Sequence, residues 1–494
     1  MAGNNPNNQK DNSPEYYPAA YVHSLLAIIE EQNRIITELQ ATIVQLNARI
    51  EELESRLNQN SRNSGRPPSM DGYRRPPDQR KKGERPPGGQ KGHKGQTLDW
   101  VETPDQVKVH RISECEGCGA SLELVEPIKV DRRQVHDIPP LKVTVIEHRA
   151  EHKTCPHCGQ YNRAKFPSDV QFPVQYGQNL KALMVYLCIY QLIPYERVCE
   201  TFLDLFGRSI SKATLVKAVS DCHKNLAGVE DTIRELLAGA QVLNVDETGM
   251  RVNGIRQWLH VASTELLTGY GHHRKRGSQA MDDMHILPRF RGTMIHDFWA
   301  PYFRYQSHHA LCNAHLLREL NGITENYHQK WSKQMYDLIH EIKGAVDTAQ
   351  GQLLPISQHL ISDFEARYQH IIATGILENP APEPVDHFVK RGRKKQSKAK
   401  NLLDRCQKYE TEILSFMHDF SIPFSNNLAE RDIRMVKLQQ KISGTFRSED
   451  GADWFCRVRG YISTVKKNQL PVMAALVDAF QDNPFIPSVA HRSG

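Results

Sequence analysis

The chain has 494 residues, of which 39% are hydrophobic and 24% are charged, so it can form about three domains of roughly 150 residues each. A membrane-spanning helix needs about 20 apolar residues, whereas the longest uncharged apolar stretch, Ala182 to Tyr195, has 14. The first twenty residues are polar and Asn-rich, without the apolar segment of a signal peptide. The composition excludes an integral membrane protein and predicts a cytoplasmic one, in which the ten cysteines favour metal binding over disulfides.

The N-terminal part of the chain carries a seven-residue hydrophobic repeat. Residues 1–20 have no periodicity and are predicted to be disordered. Over 21–58, β-branched residues at heptad position a with leucines at d favour a parallel two-stranded coiled coil; position a holds Val22, Ile29, Ile36, Ile43, Ile50 and Leu57, and position d holds Leu25, Gln32, Leu39, Leu46 and Leu53. We expect a homodimer or higher oligomer, and the alternative is an amphipathic helix packed on its own domain.

The net charge of +6 is concentrated in one segment. Residues 60–96 carry ten Lys and Arg against three acidic residues, a local net charge of +7, together with six Pro and seven Gly. Because neither helix nor strand tolerates that Pro and Gly content, 59–100 is predicted to be an extended basic linker. Its cations suit DNA phosphates, and a solvated spacer is the alternative.

Residues 101–165 contain two C-x-x-C motifs, each followed by glycine. Each motif places two thiolates on one tight turn, and two turns supply the four ligands of a structural zinc ion; the ligands would be Cys115, Cys118, Cys155 and Cys158. Strand-like residues 143–152 between them fit a zinc ribbon with a β-insert. A redox dithiol explains one motif but poorly explains a matched pair.

Residues 166–238 have a helical pattern. Helices are predicted over 195–206 and from 211, with Gly207 ending the first helix and Ser211 capping the second. This arrangement fits a helix-turn-helix that presents its second helix to a DNA major groove. An ordinary α-hairpin fits equally well.

From residue 239 the pattern changes to short strands with one intervening helix, which indicates an α/β layer fold. Strands are predicted over 241–248, 256–264, 267–273, 292–299 and 308–315, with a helix over 276–287. Residues 321–420 are predicted to be mostly helical, with a Pro-rich break at 378–384 and a basic run at 390–400. Helices follow again in 421–470, and 471–494 is predicted to be a C-terminal tail.

Three carboxylates in this region are candidate ligands of a divalent metal. Asp246 and Asp297 each end an apolar run, and two adjacent strands ending in Asp would bring both side chains to one edge of a sheet. Glu430 is the candidate third acid, because Lys437 follows it by seven residues on the same helical face.

Each candidate has an alternative interpretation. Asp246 could begin a turn, and Glu430 could complete a capping box with Asn427. Asp282 and Asp283 are competing carboxylates that fit a solvated helix face. Cys312 and His315 form an isolated C-x-x-H motif. His315 could lie near the metal site; an equally good interpretation is that Cys312 packs in the core and His315 lies at the surface. The six cysteines outside the two C-x-x-C motifs are interpreted as core residues.

Taken together, the motifs resemble those of transposases of the insertion sequence 66 family. The resemblance covers about residues 20–470, and it rests on PPGGQKGHKG, QVHDIPP, NVDETGMRVNG, HDFWAPYF, LCNAHLLREL and NNLAERDIRMVKLQQKISGTFRS, all in the same linear order. It implies a multidomain α/β protein with a coiled coil, a zinc ribbon and a helix-turn-helix-like region. It also implies a ribonuclease-H-like catalytic core formed by 239–320 and 421–470 with a helical insertion at 321–420.

The same resemblance implies an Asp-Asp-Glu triad of Asp246, Asp297 and Glu430, with Lys437 as a basic partner. Structural Zn²⁺ and catalytic Mg²⁺, with Mn²⁺ as a substitute, are the implied metals. Phe298 stands where the family often has glycine, and the tail after residue 470 is short for the family.

The expected function is metal-dependent cleavage and strand transfer at the ends of an insertion sequence. The expected partners are the terminal inverted repeats, the target DNA, a second copy of the chain and small accessory transposition proteins, in the bacterial nucleoid. Two alternatives stay open: a catalytically inactive or domesticated dimeric zinc-binding DNA-binding protein, and a metal-dependent nuclease without strand transfer.

Overall fold

A computed structural model describes residues 18–64, 98–380 and 396–488. The chain divides into two compact units. The first contains residues 1–74 and 293–427, and the second contains residues 75–292 and 428–494. Residues 1–17 of the predicted N-terminal disorder, most of the basic linker, and much of the Pro-rich break and basic run lie outside the described residues; the disorder prediction is wrong for residues 19 and 20, which begin the first helix. None of the helices described is both long and apolar enough to cross a membrane.

The described residues form α-helices and β-strands in the following order. The helices are α1 (Ala19–Leu57), α2 (Gln178–Val185), α3 (Tyr195–Phe206), α4 (Lys212–Asn225), α5 (Ala227–Ala238), α6 (Ser278–Asp283), α7 (Asn313–Tyr327), α8 (Lys330–Gln352), α9 (Gln358–Glu378), α10 (Lys398–Lys408), α11 (Glu410–His418), α12 (Asn427–Ser443), α13 (Glu449–Lys467) and α14 (Val472–Phe480). The strands are β1 (His152–Thr154), β2 (Tyr161–Arg163), β3 (Val242–Val252), β4 (Ile255–Ser263), β5 (Thr268–His273), β6 (Thr293–His296) and β7 (His308–Leu311).

Helix α1 contains the heptad repeat. Its 39 residues would extend about 58 Å at 1.5 Å per residue, and Arg34 pairs with Glu31 and Glu38 on its surface. The apolar side chains at positions a and d are between 41% and 83% exposed. The continuous helix and its exposed apolar positions are consistent with a coiled coil.

The end of α1 packs against helices of its own unit. Ser55 is buried and accepts hydrogen bonds from Tyr327 Oη at 3.2 Å and Lys398 Nζ at 3.1 Å. Asn63 donates to Glu325 at 2.8 Å, and a Cβ on Gly322 would lie 2.3 Å from the Asn63 carbonyl oxygen. The linker prediction is therefore wrong for residues 59–64, because local hydrogen bonds order the segment and Asn63 bonds to Glu325, which is distant in sequence.

The rest of the first unit combines a pair of parallel strands with α7 to α11. Strands β6 and β7 pair in register, with Ile295 opposite Ala310. The helices pack around fully buried Trp331 and Tyr368. The interval 321–420 is thus helical in its described part; its role as an insertion into a catalytic core stays a prediction.

The second unit contains a three-stranded antiparallel sheet, β3–β4–β5. A two-residue loop joins β3 to β4, and Asn253 and Gly254 both have positive φ, 49° and 76°. Asn-Gly is the preferred pair for such a hairpin loop. Strand β3 therefore extends beyond its predicted end at residue 248, because the Asn-Gly loop and not the end of the apolar run terminates it.

Helix α13 packs directly on β5, since Gly460 has no side chain. A Cβ at this position would lie 3.1 Å from the Thr268 carbonyl oxygen. Helix α14 packs against α2, with Leu476 and Met184 both fully buried. The assignment of 471–494 as a tail is therefore wrong for 472–480, which form an apolar helix of the unit.

The predicted helix–turn–helix is present as α3 and α4. Gly207 adopts a left-handed conformation with φ of 61° and donates to the Leu203 carbonyl, and Ser211 Oγ accepts from Thr214 N at 3.1 Å. Helix α4 buries Leu215 and Val219 and exposes Lys212 and Lys217. Both lysines pair with carboxylates, so this geometry does not separate a DNA-reading helix from an α-hairpin.

The β-insert predicted in the cysteine-containing region is not formed. Residues 143–151 have no strand hydrogen bonds, and the only sheet described there is the three-residue pairing of β1 with β2. Apolar residues such as Leu124, Val135 and Val145 are largely exposed. The alternating pattern resembles a strand in sequence, but no partner strand covers it.

The coiled-coil hypothesis predicts that charge at position a abolishes self-association. Ile36→Lys with Ile43→Lys introduces two ammonium groups that the a layer cannot desolvate cheaply. We expect this double variant to be monomeric in sedimentation-velocity experiments and the parent to be at least a dimer. Thr37→Lys with Val44→Lys, one residue further along at position b, is the matched control and should remain associated. Equal association of both double variants would contradict the coiled-coil hypothesis.

Candidate functional site

Asp246 lies within strand β3. It is the fifth of eleven residues, so the expectation that it ends the strand is wrong; buried Met250 and Val252 continue the strand to the hairpin loop. Its Oδ1 accepts a hydrogen bond from the Glu247 backbone N–H at 2.8 Å. The next side chain, Glu247, is 2% exposed and pairs with Arg276 at 2.6 Å.

Glu430 and Lys437 lie on helix α12. Because the helix begins at Asn427, its N-cap position falls on Asn426. Glu430 is therefore one residue past the N3 position that a capping box requires. The Glu430 side chain is 17% exposed and lies 3.8 Å from Arg434. Lys437 Nζ donates to the Gly249 carbonyl of β3, and burial, with a smaller contribution from Arg256, lowers the pKa of Lys437.

Asp246 is on the face of the sheet that carries α12. Side chains alternate along a strand, and directly opposite residues of paired strands share a face. Asn244 and Asp246 therefore share a face with Ser263, which lies opposite Asn244. Ser263 Oγ donates to Asp432 of α12 at 2.7 Å. Strand β3 and helix α12 thus bring Asp246, Glu430 and Lys437 to one side of the second unit.

A buried carboxylate fixes α12 on the sheet. Asp432 accepts hydrogen bonds from Ser263, from Thr268 Oγ1 at 3.0 Å and from Lys467 Nζ at 2.8 Å. Lys467 also donates to the carbonyl groups of Thr264 and Leu267, both at 2.9 Å. Asp432 thereby connects α12 to β4, β5 and α13.

Asp432 and Lys467 were not among the predicted site residues. Both lie in helical segments, where a charged residue is most often solvated, and their partners are distant in sequence. The one available signal was periodicity: Asp432 occurs next to Ile433 on the buried side of α12. The sequence alone did not reveal what would neutralise the carboxylate.

Asp297 belongs to the first unit and directly follows β6, as expected. Its Oδ1 accepts from the Trp299 backbone N–H at 2.9 Å. The preceding His296 is fully buried, its Nε2 lies 3.0 Å from His309 Nδ1, and burial lowers its pKa to about 3. This histidine is therefore neutral at physiological pH, so it adds no positive charge beside Asp297.

The residues around Asp297 also explain the departure at position 298. The Phe298 ring lies 4.8 Å below the Arg405 guanidinium and packs edge-on to Tyr409. Cys312 is buried and accepts from Asn426 N at 3.1 Å, which fits the packed-cysteine alternative. His315 is partly buried rather than at the surface as that alternative assumed, and this burial lowers its pKa to about 4.

The two C-x-x-C motifs fold as matching turns. In each turn, the backbone carbonyl of the first cysteine accepts a hydrogen bond from the glycine N–H at 2.9 Å. The backbone N–H of the same cysteine donates to the carbonyl of the residue that follows the glycine. Gly119 and Gly159 have φ of 74° and 71°, which favours glycine there. Backbone N–H groups lower the pKa values of Cys115 and Cys155, and this favours the thiolate that binds zinc.

Within the described residues, no three of the four cysteine sulfurs lie within 4.8 Å of one another. Each turn supplies two ligands, and the two turns must approach each other to hold one ion. The donor set itself fits structural Zn²⁺, which prefers four thiolates in a tetrahedron. Of the other six cysteines, five are buried, as expected for core residues, and Cys199 is partly buried.

Removal of the Asp432 charge should destabilise the second unit. Asp432→Asn leaves the Lys467 ammonium buried without its anion, which typically costs about 3 kcal/mol or more. Urea unfolding followed by tryptophan fluorescence should show this loss. Asp231→Asn, at a 73% exposed position, is the control and should change stability by no more than about 0.5 kcal/mol. A change in the free energy of unfolding of no more than about 0.5 kcal/mol for Asp432→Asn would contradict the proposal that Asp432 anchors α12.

The two turns should bind one zinc ion between them. We expect about one zinc per chain by elemental analysis, with strongly reduced zinc in Cys118→Ser and in Cys158→Ser. Cys199→Ser, which alters a partly buried cysteine outside the turns, is the matched control and should retain the metal. Full zinc content in Cys158→Ser would show that the second turn is not a ligand pair.

Comparison with known protein families gives three matches. Residues 173–454 match the transposase IS66 family, residues 113–159 match the zinc-finger binding domain of transposase IS66, and residues 22–99 match a family of unknown function (DUF6444). A search of curated proteins found no match to the chain. The first match covers more than half of the chain and includes every candidate carboxylate, and the second includes all four cysteines of the matching turns. The chain therefore belongs to the IS66 transposase family and carries its zinc-finger domain.

Proposed function

We propose that this protein is an Asp-Asp-Glu DNA transposase, in which Asp246, Asp297 and Glu430 hold divalent metal for strand cleavage and strand transfer. The observation that carries the proposal is the alignment of α12 with β3. It brings an acidic and a basic side chain of the helix to the strand that contains Asp246.

The spacing along the two elements supports a close approach of Asp246 and Glu430. Glu430 and Lys437 are seven residues apart on one helical face, about 10.5 Å at 1.5 Å per residue. Asp246 and Gly249 are three residues apart, about 10 Å along the strand. Since Lys437 donates to Gly249 and Phe446 bridges Val252 in parallel, the helix and strand run in the same direction. Glu430 then comes level with Asp246.

The proposal requires Asp297 to join this pair. A ribonuclease-H-like core would do so by adding β6 and β7 to the antiparallel sheet β3–β4–β5, with the end of β6 beside Asp246. The parallel pairing of β6 with β7 and the position of Asp297 directly after β6 support that arrangement.

Carboxylate oxygens are the ligands that Mg²⁺ and Mn²⁺ prefer. Bound in pairs, such metals supply Lewis acidity for an attacking water or 3′-hydroxyl and for the leaving oxygen. The Glu430 side chain is only 17% exposed, so this carboxylate has little contact with bulk water. Lys437 places positive charge near the phosphodiester. In the proposed reaction, water cleaves the element end to leave a 3′-hydroxyl, which then attacks target DNA.

Other parts of the chain have roles within this proposal. The zinc-finger domain, the basic linker and α4 would bind the terminal inverted repeats, and α1 would join two copies of the chain. Such a protein would act in the bacterial cytoplasm on the nucleoid, with or without small accessory proteins.

The triad should be required for chemistry and dispensable for DNA binding. Asp246→Asn, Asp297→Asn and Glu430→Gln each keep the side-chain shape but remove a metal-binding charge. We expect each variant to shift terminal-repeat DNA in a gel as the parent does, and to lose cleavage and joining in Mg²⁺ by at least about 100-fold. Asp283→Asn, a 57% exposed carboxylate in the same unit as Asp246, is the control and should stay active. Cleavage by Glu430→Gln at the parental rate would refute the third ligand.

A pre-cut DNA end separates the proposal from its two alternatives. Given an element end with a free 3′-hydroxyl, a transposase forms a joined product with target DNA. A nuclease without strand transfer cuts DNA but leaves this substrate unjoined, and a DNA-binding protein without catalysis does neither.

A further inference from the structure

The β3–β4 hairpin carries two arginines that face each other. Arg251 and Arg256 are directly opposite in the antiparallel register, an arrangement that is destabilising for like charges. Among the described residues, neither is within ion-pair distance of a carboxylate. Two nearby arginines do have such partners: Arg274 pairs with Glu449, and Arg276 with Glu247.

Arg256 is held in place without an anion. Its guanidinium carbon lies 4.7 Å from the centre of the Trp258 ring, a typical cation–π distance. Trp258 lies opposite Gly249, and a Cβ on that glycine would be 3.2 Å from Arg256 Nε. The missing side chain therefore gives Arg256 room to lie along the sheet. Contact with the ring leaves guanidinium N–H groups available to an acceptor.

Arg251 is also fixed, at the tip of the hairpin. Its Nη1 donates to the Gly254 carbonyl at 2.9 Å. The backbone around it is clamped by the segment after α12, since Asn253 N donates to Phe446 O at 2.6 Å and Phe446 N donates to Arg251 O at 3.0 Å. A cation positioned in this way loses little further conformational entropy when it binds an anion.

Lys437 adds a third positive charge beside this pair. It reaches Gly249 of the same strand, and the charge of Arg256 contributes to the lowering of its pKa. The mutual repulsion of these cations is relieved when an anion binds at the hairpin.

We propose that Arg251 and Arg256 bind the phosphate backbone of double-stranded DNA on the face of the β3–β4 hairpin opposite to Asp246. The inference rests on the proposed function, which supplies the polyanion. Arg251 is five residues from Asp246, about 17 Å along β3, and this odd separation places the two side chains on opposite faces of the sheet; the contacted phosphates are therefore separate from the reacting one. These contacts hold the DNA in position and carry no sequence information.

The salt dependence of DNA binding tests this inference in the full-length protein. Each phosphate contact contributes about 0.9 to the slope of log K against log salt concentration. With a fluorescent duplex of arbitrary sequence in EDTA, we expect Arg251→Gln with Arg256→Gln to lower the slope by about 1.8 and the low-salt affinity by about 10-fold or more. Arg251→Lys with Arg256→Lys keeps both charges and should retain most of the slope.

Arg274→Gln with Arg289→Gln is the matched control. It removes the same number of charges from the same unit, but each of these arginines already pairs with a carboxylate. The inference is overturned if the control lowers the slope as much as the hairpin variant, if the hairpin variant keeps the parental slope, or if the parent does not bind the duplex. Melting temperatures close to that of the parent establish that both glutamine variants fold.

Because EDTA removes divalent metal and thereby prevents strand cleavage, the measured salt dependence of DNA binding is independent of the triad. Retained cleavage in Glu430→Gln would refute the proposed active site and leave the hairpin measurement standing. An unchanged slope would refute the hairpin contact and leave the active site standing.

Discussion

The Asp432–Lys467 pair is the interaction on which the geometry of the candidate site depends. A buried ion pair is costly to desolvate and is tolerated when further hydrogen bonds complete it. Here three hydroxyl groups, of Ser263, Thr268 and Ser463, complete the carboxylate, and two backbone carbonyls complete the ammonium. These partners come from β4, β5, the loop between them and α13, so the pair sets where α12 lies. Glu430 and Lys437 on that helix are positioned as a consequence.

The surroundings of the site separate negative from positive charge. Asp246 and Glu430 come earlier in β3 and α12, whereas Lys437 and Arg251 come later in the same two elements and Arg256 follows the hairpin loop in β4. A protein that uses metal to act on a phosphodiester needs both kinds of charge, carboxylates for the metal and cations for the adjoining phosphates. One strand and one helix can supply both.

Local sequence signals predicted much of this structure. The heptads of α1, the glycine and serine that bound α3 and α4, and the paired C-x-x-C turns each depend on residues within one or two turns of chain. The strands β3 to β7 were also located, although β3 was ended too early and β6 and β7 are shorter than predicted. Each of these features is determined by backbone conformation or by hydrophobic period.

Features that depend on distant partners were missed. Asn63 was assigned to the linker, and Ser55 to a coiled-coil helix without contacts to other helices, because their partners, Glu325 and Lys398, are hundreds of residues away. Helix α14 looked like a tail because nothing nearby shows that α2 covers it. At the candidate site, the carboxylates were found as motifs, while Asp432, which orients one of them, has no local signature.

The most direct test of the central claim is to ask whether the three carboxylates share one metal site. Fe²⁺ can replace Mg²⁺ at carboxylate sites, and with peroxide and ascorbate it cuts the polypeptide close to where it is bound. Mapping of the fragments by mass spectrometry should give cuts near Asp246, Asp297 and Glu430 in the same preparation, all suppressed by excess Mg²⁺ and absent from Glu430→Gln. Cuts near one of the three alone, or cuts that persist in excess Mg²⁺, would contradict a shared catalytic metal site.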